Sequence, residues 1–246
     1  MSRPAAGLAD RLFRSFDRVY VLNLPERADR RIEMAGELAR IGTGYDDPRV
    51  RLFAAIRPSA AAGFPGIGAR GCFLSHLAML RDARDAGLAH ILILEDDCDF
   101  AAAIGSRLPL ALDALDARGA AIFYGGYVLP DRRLPAGGPL VRIEPTRPVR
   151  TTHCIGFDRA AIARLVPYLE AMIDRPPGSP EGGPMHVDGA YGWFRAAHPD
   201  LSCWVATPPL ARQRPSRTDI AAPGLVDRLP LALRRLIRGV RRRARR

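Results

Sequence analysis

The architecture of this chain follows from Ile91-Leu92-Ile93-Leu94-Glu95-Asp96-Asp97-Cys98-Asp99. Four apolar residues run straight into a cluster of carboxylates. An unbroken run of Ile and Leu predicts a strand buried on both faces, as in a parallel sheet. The acids then fall at the strand's carboxyl end, where open α/β sheets place their ligands. Crowded carboxylates repel, so the cluster needs a cation or hydrogen-bond donors to offset it. A hard divalent cation carrying phosphate oxygens is the usual solution. One acid would suffice to cap a helix beginning near Phe100; three or four at a strand end favour a metal or sugar-binding role.

Working outward, Val19–Leu24 predicts a first strand, followed by a helix over 29–41 with Ile32, Ala35, Leu38 and Ala39 on one face. Asn23, Arg27, Arg30 and Arg31 follow that strand. On an exposed helix such arginines are solvated; at the carboxyl end of a central strand they can meet a nucleotide or its phosphates. Val50–Ile56 predicts a second strand and 57–70 a loop. Cys72–Ala86 predicts a helix with Leu74, Leu77, Ala78 and Leu80 inward, closed by Gly87. Ser75 and His76 then fall in its first turns, where free N–H groups suit a phosphate. A histidine of the core or surface without chemistry is the other reading of His76.

Gly66-Ile67-Gly68-Ala69-Arg70-Gly71 is a literal G-x-G-x-x-G. A dinucleotide fingerprint needs a strand leading directly into its first glycine. Here Ala60-Ala61-Ala62-Gly63-Phe64-Pro65 precedes it, so the context fails at the front. Downstream, 102–117 predicts a helix disturbed at Pro109, 121–124 a strand, 151–157 a strand, and 158–172 a helix N-capped by Asp158. Residues 127–149 read as a hairpin or insertion. A Pro/Gly-rich loop over 174–184 precedes His186-Val187-Asp188. Asp188 caps the next helix, or bonds sugar hydroxyls, or acts as a base. Strands alternating with helices give an α/β class with a mainly parallel sheet.

All 37 basic residues are Arg, which excludes a Schiff-base or P-loop lysine. The net charge is +11, and +8 of it comes from 225–246, which hold nine Arg and one Asp. The body is nearly balanced. Cys72, Cys98, Cys154 and Cys203 lie far apart with no C-x-x-C pair, which speaks against zinc and for reduced thiols in a cytosolic protein. No apolar run approaches the ~18 residues of a membrane span. In the tail, Leu229, Leu233, Leu236, Ile237 and Val240 share one helical face and Arg234, Arg238, Arg241 and Arg245 another. A basic amphipathic helix of this kind suits an anionic membrane surface; a solvated tail is the alternative.

Taken in order, VYVLNLPERADRR, GARGCFLSHLAML, ILILEDDCDF, AIFYGG, TTHCIGFDRAAIARLV, HVDGAY and Gln213 through Thr218-Asp219-Ile220 resemble glycosyltransferase family 25, over roughly residues 18–220. Residues 173–187 and 127–149 depart from the family pattern, and Thr218 stands where Ser is more usual. The resemblance implies a GT-A-like, Rossmann-type single domain over 18–220, an N-terminal extension over 1–17 and an Arg-rich tail over 221–246. It also implies a nucleotide-sugar donor, a UDP-sugar first, and a divalent metal, Mn²⁺ or Mg²⁺, at the acidic motif. By position, Asp97 is the metal ligand with Glu95 and Asp96 beside it. Asp97-Cys98-Asp99 is also a literal D-x-D, so Asp99 is a second metal candidate. Asn23, Arg27, Arg30, Ser75, His76 and Glu95 fall on the donor side. Inversion is implied, so a carboxylate base is expected, Asp188 first and Asp96 second.

The expected activity is transfer of a sugar, galactose among the candidates, to a glycan or lipopolysaccharide-type acceptor. The expected location is cytoplasmic, peripheral at the inner face of the cytoplasmic membrane, with no specific nucleic-acid partner. Two other classes compete: a dinucleotide-dependent oxidoreductase using Gly66–Gly71, and a catalytically silent membrane- or nucleic-acid-binding protein.

Overall fold

The computed structural model of the chain describes residues 4–131, 134 and 137–215. The described residues up to Arg214 form one compact unit. The Arg-rich tail, with its expected amphipathic helix, and the Thr218-Asp219-Ile220 block lie outside the described residues.

The elements, in order, are α1 (Pro4–Ser15), β1 (Arg18–Asn23), α2 (Ala28–Arg40), β2 (Val50–Ala54), α3 (Ile67–Asp85), β3 (His90–Glu95), β4 (Cys98–Phe100), α4 (Ile104–Arg118), β5 (Ile122–Val128), β6 (Leu140–Arg142), β7 (Arg150–Asp158), α5 (Arg159–Asp174), α6 (Val187–Ala197), β8 (Cys203–Ala206) and β9 (Ala211–Gln213). The main sheet has the order β2-β1-β3-β7-β5-β8-β6, with β9 joining β5 and β4 pairing β9. β1, β2, β3, β5, β8 and β9 point one way; β4, β6 and β7 run against them. This is the α/β, mainly parallel, Rossmann-type architecture expected.

The apolar run works as its lack of alternation predicts. Val19, Val21, Leu92 and Leu94 enter one core, with residues of α1, α2 and α4. Tyr20, Leu22, Ile91 and Ile93 enter the other, with residues of α3, α5 and α6. The sheet is the middle layer of three, and each central strand is buried on both faces. Asp158 Oδ1 accepts a 2.7 Å hydrogen bond from Ala161 N and caps α5 as expected.

Three expectations change. Within the segment expected as an N-terminal extension, α1 packs on the unit, with Leu12 and Phe16 buried in the α4-side core. The inward face of α2 is Met34, Glu37 and Leu38, while Ile32 is 75% exposed. Glu37 stays buried because Oε2 accepts from Phe100 N (2.9 Å) and pairs with Arg40. Finally, α3 starts at Ile67, five residues earlier than Cys72, and its buried stripe is Phe73, His76, Leu77, Leu80 and Ala83. That is an i, i+3, i+4, i+7 face; Leu74 and Ala78 are only half-buried.

Candidate donor site at the carboxyl edge of the sheet

From β1 the chain moves outward to β2, and it then crosses back to β3 on the other side of β1. The β1–β3 boundary is therefore the topological switch point, and its carboxyl end is where such sheets form a crevice. Leu22 of β1 is in register with Glu95 of β3, so Asn23 comes opposite Asp96. Asn23 Nδ2 donates to Asp96 Oδ2 at 2.7 Å, and Arg30 Nη1 donates to Asp96 Oδ1 at 2.6 Å. Asn23 Oδ1 in turn accepts from Arg31 Nη1 at 3.0 Å. Asp96 is thus a buried carboxylate held on both oxygens. Arg27, just before α2, forms an ion pair with Asp29 and offers its carbonyl to Asn23 Nδ2.

Asp97 is held differently. Oδ2 accepts from Gln213 Nε2 at 3.1 Å; Oδ1 is buried and has no hydrogen-bond partner among the described residues. Burial, then the neighbouring Glu95 charge, push its carboxyl up to about 7. Asp99 takes another course on β4. Its Oδ1 accepts from Arg214 Nε (2.9 Å) and Nη2 (2.6 Å). The structure thus separates the two D-x-D carboxylates: Asp97 keeps an unmet oxygen, and Asp99 is neutralised by an arginine.

Glu95 points toward α3 and β7. Thr152 Oγ1 donates to Glu95 Oε1 at 2.5 Å, and His76 Nε2 lies 3.5 Å from the same oxygen. Burial alone would raise the Glu95 carboxyl, but the His76 contact and Thr152 outweigh it and the net shift is downward. His76 is fully buried, and its Nδ1 is 2.9 Å from Tyr191 Oη on α6. Cys72, one turn before His76, is half-buried; burial first, then the charges of Glu95, Asp188 and Asp97, push its thiol well up.

Ser75 and His76 do not lie at a helix N-terminus, because the earlier start of α3 puts both in its third turn. Ser75 Oγ accepts from Ile56 N (2.8 Å) and donates to Gly71 O (2.6 Å). It ties the loop after β2 to α3 and has no capacity left for a phosphate at the helix start. The G-x-G-x-x-G also has a packing explanation. Gly66 follows a loop and not a strand, and a Cβ at Gly71 would lie 2.6 Å from Ile56 O. The third glycine lets the helix press on that loop, so the dinucleotide reading loses its structural context.

Asp188, half-buried in the first turn of α6, accepts from Gly189 N (2.8 Å) and from Thr151 N (3.1 Å). Thr151 sits at φ +66° at the start of β7. Asp188 therefore holds a left-handed residue beside Thr152, which contacts Glu95. Because β7 runs antiparallel, its first residues lie at the same edge as the last residues of β3, and this brings Asp188 to the acidic motif. Sequence reasoning did not single out Thr152, His153, Tyr191 or Cys72 for this site. His153 fills space above β5: a Cβ at Gly126 would fall 2.2 Å from its Nε2. The only sequence signal for these residues was membership of the matched blocks.

The fold and this edge define an α/β protein with its polar site at the β1–β3 switch point. No family model matches the chain. A Homo sapiens protein named inactive glycosyltransferase 25 family member 3 is 30% identical over 119 residues, covering 42% of this chain and 20% of that protein. A Bos taurus protein, whose name likewise carries that family and the word inactive, is 30% identical over 118 residues with the same shares. The chain thus resembles glycosyltransferase family 25, and it spans about a fifth of the length of the curated relatives it matches. Among solved structures, mannose-1-phosphate geranyltransferase from Thermus thermophilus aligns over 87% of this chain and 64% of that one, at 14% identity and a TM-score of 0.36.

Proposed function

We propose that the chain is a glycosyltransferase, a hexosyltransferase in type, that takes a nucleotide-sugar donor at the carboxyl edge between β1 and β3. By the family resemblance the donor is a UDP-sugar, galactose being the first sugar to test, and the acceptor a glycan or lipid-linked saccharide. The observation that carries the reading is Asp97 Oδ1, a buried carboxylate oxygen with no partner at the switch point. Native proteins rarely leave such an atom unmet unless a ligand or a proton satisfies it.

The residues present fit a hard divalent cation. Asp97 offers a free oxygen, and Glu95 adds negative charge close by, which together with burial raises the Asp97 carboxyl. Asp97, with Glu95 beside it, would hold Mn²⁺ or Mg²⁺, which when bound supplies charge against a diphosphate. Asp96 positions this turn: with Asn23 and Arg30 on its two oxygens it fixes the β3–β4 corner from which Asp97 projects. Arg27 and Arg30 bring positive charge to the donor edge. Asp188 is the first candidate for accepting the acceptor hydroxyl's proton, because its carboxylate is half-exposed and, among the described residues, hydrogen-bonded to backbone N–H groups alone. Asp96, whose two oxygens already accept from Asn23 and Arg30, is the second candidate.

Calorimetry with UDP-sugars, with and without Mn²⁺, tests the binding step. The expected result is cation-dependent binding that Asp97→Ala abolishes; absence of binding to every nucleotide sugar overturns the reading. Donor hydrolysis tests turnover. Asp188→Asn is expected to keep donor binding and lower turnover at least a hundredfold, within the range of general-base losses of roughly 10²–10⁴. The relatives' names carry the word inactive, so binding without turnover in the unsubstituted chain would identify a silent binding protein.

A further inference from the structure

We infer that Cys72, His76 and Glu95 form a binding site for a borderline divalent cation such as zinc, sharing Glu95 with the carboxylate site at Asp97 but adding a thiol and an imidazole that the latter lacks. One ligand atom from each residue can be chosen so that all three lie within 4.8 Å of one another. Cys72 and His76 are four residues apart on α3, so both side chains share one helix face. Two ligands at i and i+4 of a helix are the device by which helical metal motifs present their imidazoles. The third ligand comes from the end of β3. Sulfur, imidazole nitrogen and carboxylate oxygen together select zinc-like cations over Mg²⁺, which takes oxygen alone.

The His76–Glu95 contact is the second observation. Nε2 of this fully buried imidazole makes no hydrogen bond, although Glu95 Oε1 is 3.5 Å away. Two ligands about 2.0–2.1 Å from one tetrahedral zinc stand roughly 3.3 Å apart. In the tautomer that carries its proton on Nδ1, facing Tyr191 Oη, Nε2 presents its lone pair to a carboxylate oxygen. That arrangement is repulsive unless a cation or a proton lies between them.

The orienting groups that metal ligands need are in place. Tyr191 fixes the His76 ring, and Thr152 Oγ1 fixes Glu95. Ligating imidazoles and carboxylates are held by such outer partners. Three protein ligands leave a fourth position open. Absence of C-x-x-C argued against zinc along the sequence; the fold instead assembles a Cys, a His and a Glu from α3 and β3. The inference does not depend on donor binding, and its test uses neither sugar nor nucleotide.

The test uses the full chain, stripped by chelation and kept reduced. Cobalt(II) is expected to bind and give thiolate-to-metal charge-transfer absorption that zinc abolishes by displacement and that Cys72→Ser lacks. Identical absorption in Cys72→Ser overturns the proposal. Alkylation of the unsubstituted protein decides the matter even where that variant does not fold. Cys72 is half-buried and Cys98, Cys154 and Cys203 are buried, so iodoacetamide labelling mapped by mass spectrometry reads Cys72 directly. Zinc is expected to slow its modification at least tenfold, and Mg²⁺ to leave it unchanged. An unchanged rate with saturating zinc means that only a proton bridges His76 and Glu95, and equal protection by Mg²⁺ means that no thiolate is bound; either result overturns the site.

Discussion

Asp97 and Asp96 are neighbours of the same chemistry with opposite situations. Asp96 has its charge met by Arg30 and Asn23, whereas Asp97 has one oxygen without a partner and a carboxyl raised to about 7. A group whose folded-state pKa is raised binds more protons folded than unfolded, so it lowers stability as pH rises from its ordinary value, near 4, to about 7. In metal-free protein, Asp97→Asn is therefore expected to be more stable than the parent at pH 8, by up to about 4 kcal/mol, and no more stable at pH 4. Urea denaturation at the two pH values in chelator measures this; an equal difference at both would show that Asp97 does not titrate in that window. Asn23→Ala is expected to act the other way. It leaves Asp96 Oδ2 without its buried partner, and the loss is about 1–3 kcal/mol, read as a shift in the urea midpoint. Asn23 and the Glu-Asp-Asp cluster could be named from the sequence because strand ends and acid clusters are local patterns. The division of roles within the cluster could not, since it is set by what arrives from α2, β7 and β9.

At the scale of elements, α3 carries the largest revision. The helix begins at Ile67, and its buried face takes in His76, because Gly71 lets it press against Ile56 of the loop after β2. A run of Ala, Pro and Gly reads locally as a loop, whereas in the structure the helix already runs from Ile67 and packs Phe73 against Phe64 in one core. Gly71→Ala would place a methyl group 2.6 Å from a backbone carbonyl, where no flexible side chain can yield. The expected loss is in the range of overpacked positions, about 1–3 kcal/mol, seen as a lower thermal midpoint; an unchanged midpoint would mean that the loop moves freely. The β3 strand and the α5 cap at Asp158 were legible beforehand, because burial on both faces and N-capping depend on a few adjacent residues.

Across the whole molecule, the antiparallel course of β7 matters most. It brings Thr151 and Thr152 to the carboxyl edge of the parallel strands, and through them Asp188 to within reach of Glu95's neighbourhood. The +8 charge of 225–246 is a separate property of the chain. Deleting 225–246 is expected to abolish binding to anionic liposomes while leaving donor binding intact, because a polybasic segment contributes about 1 kcal/mol per arginine near such a surface. Sedimentation with phosphatidylserine vesicles measures it, and equal binding by the truncated protein would rule out the membrane role expected of the tail. Among the described residues no helix is long and apolar enough to cross a membrane.

The sequence alone determined the α/β class, the strand buried on both faces and the acidic edge, because each rests on periodicity or composition within a few residues. It also carried the resemblance to glycosyltransferase family 25. Only the tertiary structure decided that Asp97 and not Asp99 keeps a free oxygen, that Ser75 is a tie between loop and helix, and that Cys72, His76 and Glu95 converge. Those outcomes depend on partners far away along the chain, such as Gln213, Arg214, Thr152 and Tyr191, whose arrival at the edge is fixed by strand order and direction.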